Sequence, residues 1–323
     1  MTFGMSAREE LDAAGITDPE LRASYATCRR LNAEHGRTYY LATMLLPPAK
    51  RPHVHALYGF ARYADDIIDS LDAPDPDRLV AWSEAFLADL AAGRSDDPVG
   101  RATIHTIRRF DIPLAHFEAF LDSMRLDITV TSYPTFDDLV DYMYGSAAVI
   151  GLEMVPVLGP LTDEAYPRAR ALGEAFQLTN FIRDVGEDLR RGRVYLPEKD
   201  LASFGVDREE LAAGVVSRRV RELLRFEIAR TRELYAYAEP GIDMLDPTSR
   251  DCVRTAFELY GGILGAVERA DYQVLTQRVA VPLRRRLRVA VPAYGRAVRA
   301  RRRGARRAGP LVGPTTPTRP ASS

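Results

Sequence analysis

The segment NFIRDVGED, residues 180–188, packs three acids and one arginine into nine residues. Phe181, Ile182 and Val185 between them are apolar, which reads as a helix with one buried face. On such a helix Asn180, Asp184 and Asp188 stack on one side, about 6 Å apart. Oxygen ligands in a row repel one another unless a cation neutralises them. Arg183 and Glu187 form a second row beside them. The segment YADDIID, residues 63–69, has the same character: Asp65 and Asp69 lie four apart, Asp66 is adjacent, and Arg62 sits three before Asp65. Magnesium uses one or two carboxylates together with substrate phosphates. An arginine beside a carboxylate row suits a phosphate that also touches the metal. Either segment alone also fits a solvated face of Asp/Arg pairs. Together, each among apolar neighbours, they predict two helices facing across a cavity, with magnesium and diphosphate between them.

In a helical, apolar cavity that combination points to ionisation of an allylic diphosphate. A metal takes up the charge developing on the leaving group. Dry aromatic walls keep water from a carbocation and stabilise its charge. The 15 tyrosines and 12 phenylalanines can supply such walls, although most belong to the core.

The elements that must position these residues are helical throughout. Apolar residues recur at three and four in 52–70 (Val54, Leu57, Tyr58, Ala61, Ala64, Ile68) and in 75–92 (Leu79, Trp82, Phe86, Leu87, Leu90). Further helices are predicted at about 21–45, 100–110, 114–127, 136–158, 162–189, 216–238 and 248–279, divided mostly by Pro and Gly. The segment ITVTSYPTF, 128–136, looks strand-like, but its proline argues for a loop. Trp82 reads as core, and GGILG, 261–265, as a site of close helix packing rather than a nucleotide fingerprint. RRGR, 190–193, is either a charge cluster at a helix C-terminus or a flap over phosphates.

At 323 residues and 46% hydrophobic, the chain can bury a large core. The net charge of −1 hides a split. Past Asp271 there are 13 arginines and no acid, so residues 1–271 keep 31 basic against 45 acidic residues, or −14. The expected organisation is an N-terminal extension (1–20), one catalytic domain (21–293) and a basic, Pro/Gly-rich disordered tail (294–323). An acidic body with a basic tail suits metal binding in the body and an anionic membrane surface for the tail. Nucleic acid is not expected as a partner, because the body is acidic and the tail lacks interleaved aromatics beyond Tyr294. Cys28 and Cys252 form no metal-type spacing and read as small core residues. Without a signal pattern at MTFGMSAREELDAAG or an apolar run of about 18 residues, the expected location is cytoplasmic, peripheral at the inner face of the membrane.

Four segments carry a resemblance to a known family. GRTYYLATMLLPPAKRPHVHALYGFARYADDIID (36–69), YMYGSAAVIGLEMVPVLG (142–159), AFQLTNFIRDVGEDLRRGRVYLP (175–197) and LYGGILGAVERADYQVLTQRVAVPLRRRL (259–287) resemble the squalene/phytoene synthase family of head-to-head prenyl transferases. The similarity runs over roughly 20–290, and 175–197 is its most specific part. The resemblance implies an all-α, single-domain isoprenoid synthase helical bundle around a central cavity. It implies that Asp65 and Asp69, and then Asn180, Asp184 and Asp188, bind magnesium, with manganese as an alternative. Arg62 and Arg183 match diphosphate-contacting arginines, and Tyr142 matches a cavity tyrosine. Thr38 and Tyr39 stand where the family usually has Ser and Phe near the substrate, while Gly36 and Arg37 depart from its small polar residues. Arg278 and Tyr260 match a late basic residue and a late tyrosine facing the substrate. The implied catalytic set is Asp65, Asp69, Tyr142, Asp184 and Asp188.

The implied reaction joins two geranylgeranyl diphosphates through a cyclopropyl intermediate, prephytoene diphosphate, to phytoene, as a step of carotenoid biosynthesis alongside other enzymes of that pathway. Squalene, dehydrosqualene or presqualene diphosphate synthesis from farnesyl diphosphate would share the fold. Reductive squalene formation needs a nicotinamide cofactor, for which no fingerprint stands out, and none is expected. A class I terpene cyclase could share the first segment, but it usually places Ser or Thr where Asp184 stands.

Overall fold

A computed structural model describes residues 6–68 and 75–307 of the chain. Asp69 therefore lies outside the described residues, as does everything past Arg307. Helix starts follow local chemistry. At 18–19, 75–76 and 97–98 an Asp-Pro pair starts a helix, the aspartate capping the helix that its proline opens. Ser6 with Glu9, and Thr135 with Asp138, close capping boxes.

The helices in order are α1 (Ala7–Ala13), α2 (Pro19–His35), α3 (Arg37–Thr43), α4 (Arg51–Ile68), α5 (Pro76–Ala92), α6 (Pro98–Phe110), α7 (Leu114–Leu126), α8 (Phe136–Met143), α9 (Val149–Leu158), α10 (Ala165–Arg190), α11 (Glu198–Ser203), α12 (Arg208–Ala212), α13 (Arg218–Ala238), α14 (Arg250–Arg269) and α15 (Leu283–Arg307). Among the described residues there is no strand. Isolated bridges join Ser132 to Val194 and Pro160 to Leu245, so 128–136 is a loop, as its proline implies.

Two hydrophobic clusters dominate. One gathers α1, α2, α4–α7 and α9, with Phe60 at its centre against Trp82, Phe86, Phe117 and Phe120. The other gathers α10, α13 and α14 with the segment after α14. α10 packs on α9, α13 and α14, and so belongs to both sides. A cavity of about 880 Å³ runs between the clusters.

Several expected boundaries move. The helix predicted over 21–45 breaks at Gly36, where a Cβ would lie 2.6 Å from the Tyr58 ring. The helix predicted over 136–158 loosens into a π turn at Tyr144–Ala148, a feature frequent at functional sites. The helix predicted to reach 279 stops at Arg269. Asp271 and Tyr272, both at positive φ, then turn the chain back.

Both ends of the described chain carry helices. The N-terminal stretch is docked: Glu10 is buried and pairs with buried Arg51 at 2.8 Å and with Arg29 at 3.2 Å. At the other end residue 294 is no boundary, because α15 continues through it to Arg307. Its inner stripe is Ala290, Ala293 and Ala297, all buried, which gives too little hydrophobic contrast to stand out among arginines.

Candidate active site

Both charged segments are helical and open on the same cavity. From α4 come Tyr58, Arg62 and Asp65, and from α10 come Asn180, Arg183, Asp184, Glu187 and Asp188. Thr38 and Tyr39 of α3, Tyr142 of α8, Tyr260 of α14 and Arg278 of the following segment line it too. Every site residue expected from the sequence except Asp69 is thus on one surface.

The charges are arranged as guanidinium–carboxylate pairs. Arg62 pairs with Asp66 one turn on. Arg183 donates Nε to Asp184 at 2.7 Å and its Nη2 to the other oxygen. Arg278 adds Nε to Asp184 at 3.1 Å and reaches Glu187 at 3.7 Å. Arg191 closes on Glu187 at 3.1 Å. Burial works against the charge of Arg62 and Arg183, but the neighbouring carboxylates more than offset it and raise both pKa values. Both stay cationic at any working pH.

The placement of Arg278 depends on a glycine inside the second charged segment. A Cβ at Gly186 would fall 1.9 Å from the Leu275 carbonyl oxygen, and Gly186 N donates to Val274 O at 3.2 Å. Only a side-chain-free position lets the 272–276 backbone lie against α10 so closely. That contact brings Arg278 beside Asp184.

Below the charges the wall is aromatic. Tyr39 stacks on Tyr260 with centroids 4.9 Å apart, and Phe176 packs on Tyr260 at 4.6 Å. Burial pushes the Tyr39 and Tyr260 phenols upward, so both remain neutral. Further down, Leu172, Ala169 and Ala165 of α10 and Ile150, Met154 and Leu158 of α9 line the cavity.

Tyr142 belongs to a group that the sequence reading only half found. Its hydroxyl donates to both oxygens of Asp127, at 2.8 and 2.9 Å. Tyr195 reaches Asp127 at 3.4 Å, and Arg193 donates to the Asp127 carbonyl at 2.8 Å. Phe181 stacks on Tyr195 at 4.1 Å, beside Tyr142. Burial, then Tyr195 and Asp127, raise the Tyr142 pKa well above the ordinary phenol value. Asp127, Tyr195 and Tyr58 line the cavity and were missed, while Arg193, which also lines it, belongs to the RRGR segment read as either a helix-end charge cluster or a flap over phosphates. Arg193 and Tyr195 lie within the quoted segment 175–197, which was the available signal. With Arg191 and Arg193 on the cavity wall, RRGR is part of the site's rim rather than only a helix-end charge cluster.

The donor set fits a magnesium ion shared with phosphate. Among the described residues no three His, Cys, Asp or Glu side chains converge as they would in a protein-only cage. Magnesium does not need such a cage when phosphate oxygens complete its shell. Asn180 Oδ1 is buried on the cavity wall and has no hydrogen-bond partner. A buried oxygen of that kind is costly unless something positive meets it.

Comparison with known proteins agrees with this geometry. The squalene/phytoene synthase family matches residues 32–285. A phytoene synthase of Arthrospira platensis is 40% identical over 274 residues, covering 80% of this chain and 88% of that protein. A 15-cis-phytoene synthase of Synechococcus elongatus is 36% identical over 281 residues, covering 83% and 91%. Among solved structures, a ligand-bound dehydrosqualene synthase superposes with a TM-score of 0.79 at 29% identity, covering 85% of this chain and 97% of that one. A squalene synthase of Alicyclobacillus acidocaldarius gives 0.73 at 29% identity, covering 80% and 98%. These are all-helical isoprenoid synthases, and with the match running from α2 into α15 the chain belongs to the squalene/phytoene synthase family.

Proposed function

We propose that the chain is a phytoene synthase, a prenyltransferase that condenses two molecules of geranylgeranyl diphosphate head to head. The observation that carries the proposal is the shared cavity: carboxylates and arginines of α4 and α10 at one end, aromatic and aliphatic walls beneath. The named phytoene synthases at 36–40% identity support it, whereas the farnesyl-using alternatives rest on structural neighbours. The α10 wall from Asn180 down to Ala165 spans sixteen residues, a rise of about 22 Å. A wall of that length suits a four-isoprene chain.

Asp65, Asp69, Asn180, Asp184 and Asp188 would hold magnesium, or manganese in its place. Bound there, the metal supplies positive charge to the departing diphosphate. Arg62, Arg183 and Arg278 exchange their carboxylate partners for diphosphate oxygens and fix the leaving group's position. One substrate ionises, and its C1 adds to the double bond of the second. Loss of a proton closes the cyclopropane of prephytoene diphosphate. The second diphosphate then leaves, the ring rearranges, and another proton loss completes phytoene. Tyr39, Tyr260 and Phe176 exclude water from the cations and face them with π density. Thr38 sits on the same wall at the substrate's polar end. Tyr142, held by Asp127, keeps its proton and donates toward Asp127 throughout. No step requires a nicotinamide.

This chemistry also needs a source of greasy substrate and an outlet for a greasier product. A membrane surface, with the other enzymes of carotenoid synthesis, supplies both in this reading. Among the described residues no helix is long and apolar enough to cross a bilayer. The test is product identity. With magnesium and no nicotinamide, geranylgeranyl diphosphate should yield phytoene. A C30 hydrocarbon from farnesyl diphosphate alone would overturn the substrate assignment, and a cyclic product would overturn the reaction.

A further inference from the structure

The outer face of α15 carries two parallel stripes. Leu287, Val291 and Tyr294 are 51%, 62% and 39% exposed, unusual values for large apolar side chains in sequence. Their spacing of four and three, continued by half-buried Val298, puts them on one side of the helix. Beside them run Arg284, Arg288, Arg299, Arg302 and Arg303, all exposed. Arg296 turns back to Asp251 at 2.7 Å. Among the described residues no acid pairs with the other five, and α15 itself contains no acid. The buried alanine stripe, on the side of α15 that packs on α14, lies beside the apolar residues and opposite the arginines. The helix is therefore anchored by one side and amphipathic on the other.

A partner protein would need an acidic face with an apolar strip at the same pitch. An anionic bilayer offers both chemistries along any line on its surface. Apolar side chains enter the acyl boundary while arginines meet the phosphates. The helix also starts at the cavity: Val279, Ala280, Val281 and Arg286 belong to its wall. We propose that this face of α15 seats the protein on an anionic lipid surface, with Leu287 and Val291 inserted and the arginine stripe on the headgroups. The cavity rim then lies against the membrane. The purpose of this seat rests on the proposed prenyl chemistry, but its evidence does not.

The test is co-sedimentation of the full chain with vesicles, in the absence of substrate. One set is phosphatidylcholine alone and another holds about one third phosphatidylglycerol, each at low and high salt. Binding should be confined to the anionic vesicles and fall at least tenfold at high salt. Reversing three charges in Arg288→Glu, Arg299→Glu and Arg302→Glu should weaken it about a hundredfold or more. Leu287→Ser with Val291→Ser should weaken it several-fold while leaving its salt dependence in place. Both variants should keep the wild-type melting temperature, since these side chains point away from the core. Equal binding to neutral vesicles, or an unchanged affinity in the serine variant, would overturn the proposal. Neither outcome touches the assignment of the reaction, which the product assay decides.

Discussion

Two guanidiniums converge on Asp184 while the Tyr142 hydroxyl donates a hydrogen bond to Asp127, and the site is built from such pairs. Tyr142 and Asp127 act as one unit, because the hydroxyl is held by both carboxylate oxygens. Tyr142→Phe and Asp127→Asn should each slow turnover by roughly 10²-fold, and the double variant should be little worse than either single one. Additive losses in that cycle would mean that the two residues work separately. A different residue-level effect concerns stability. Burial, then His105 and Arg109, lowers the His53 pKa to about 3, and burial with Arg29 and Arg51 does the same for His55. In the folded chain both rings are neutral, while unfolded they take up protons below about pH 6.5. Their effect is therefore absent above that pH and grows as pH falls toward 3. At pH 5 it should cost up to about 2 kcal/mol for each ring, read as a lower urea midpoint. His53→Gln should flatten part of that slope; an unaltered slope would show that carboxylates dominate it.

Gly186 decides where Arg278 goes, and so links a helix to a segment almost a hundred residues later. Gly186→Ala should displace the 272–278 backbone and cost more in turnover than in melting temperature. If turnover survives intact, Arg278 does not need its present position. The legibility of the sequence followed this same division. Asn180, Asp184 and Asp188 could be grouped from the sequence because i, i+4 spacing places them on one face of α10, with Arg183 in the row beside them, and Asp65 of α4 was legible from the same kind of pattern in the segment 63–69. Asp127 and Tyr195 could not, since they meet Tyr142 only through packing of α7, α8 and the segment after α10. The helices with strong apolar periodicity were legible, whereas the break at Gly36 depends on the ring of Tyr58 pressing on it. α15 escaped notice because three alanines bury it, and alanine sits between polar and apolar in any periodic pattern.

The whole molecule places its polar chemistry at one end of a cavity and its apolar capacity at the other. Two separate cores face each other across that cavity, and α10 spans both the charged end and the apolar depth. The arrangement makes sense if α4 and α10 hold one metal–diphosphate group jointly, since neither helix alone has both enough oxygens and enough guanidiniums. Binding of a non-ionising thiodiphosphate analogue of geranylgeranyl diphosphate, titrated with and without magnesium, tests this most directly. The wild-type chain should bind it with magnesium and lose at least tenfold in affinity when the metal is chelated. Asp65→Asn on α4 and Asp184→Asn on α10 should each abolish that magnesium dependence. Tight binding that ignores the metal, or that survives loss of both aspartates, would contradict a shared metal–diphosphate site.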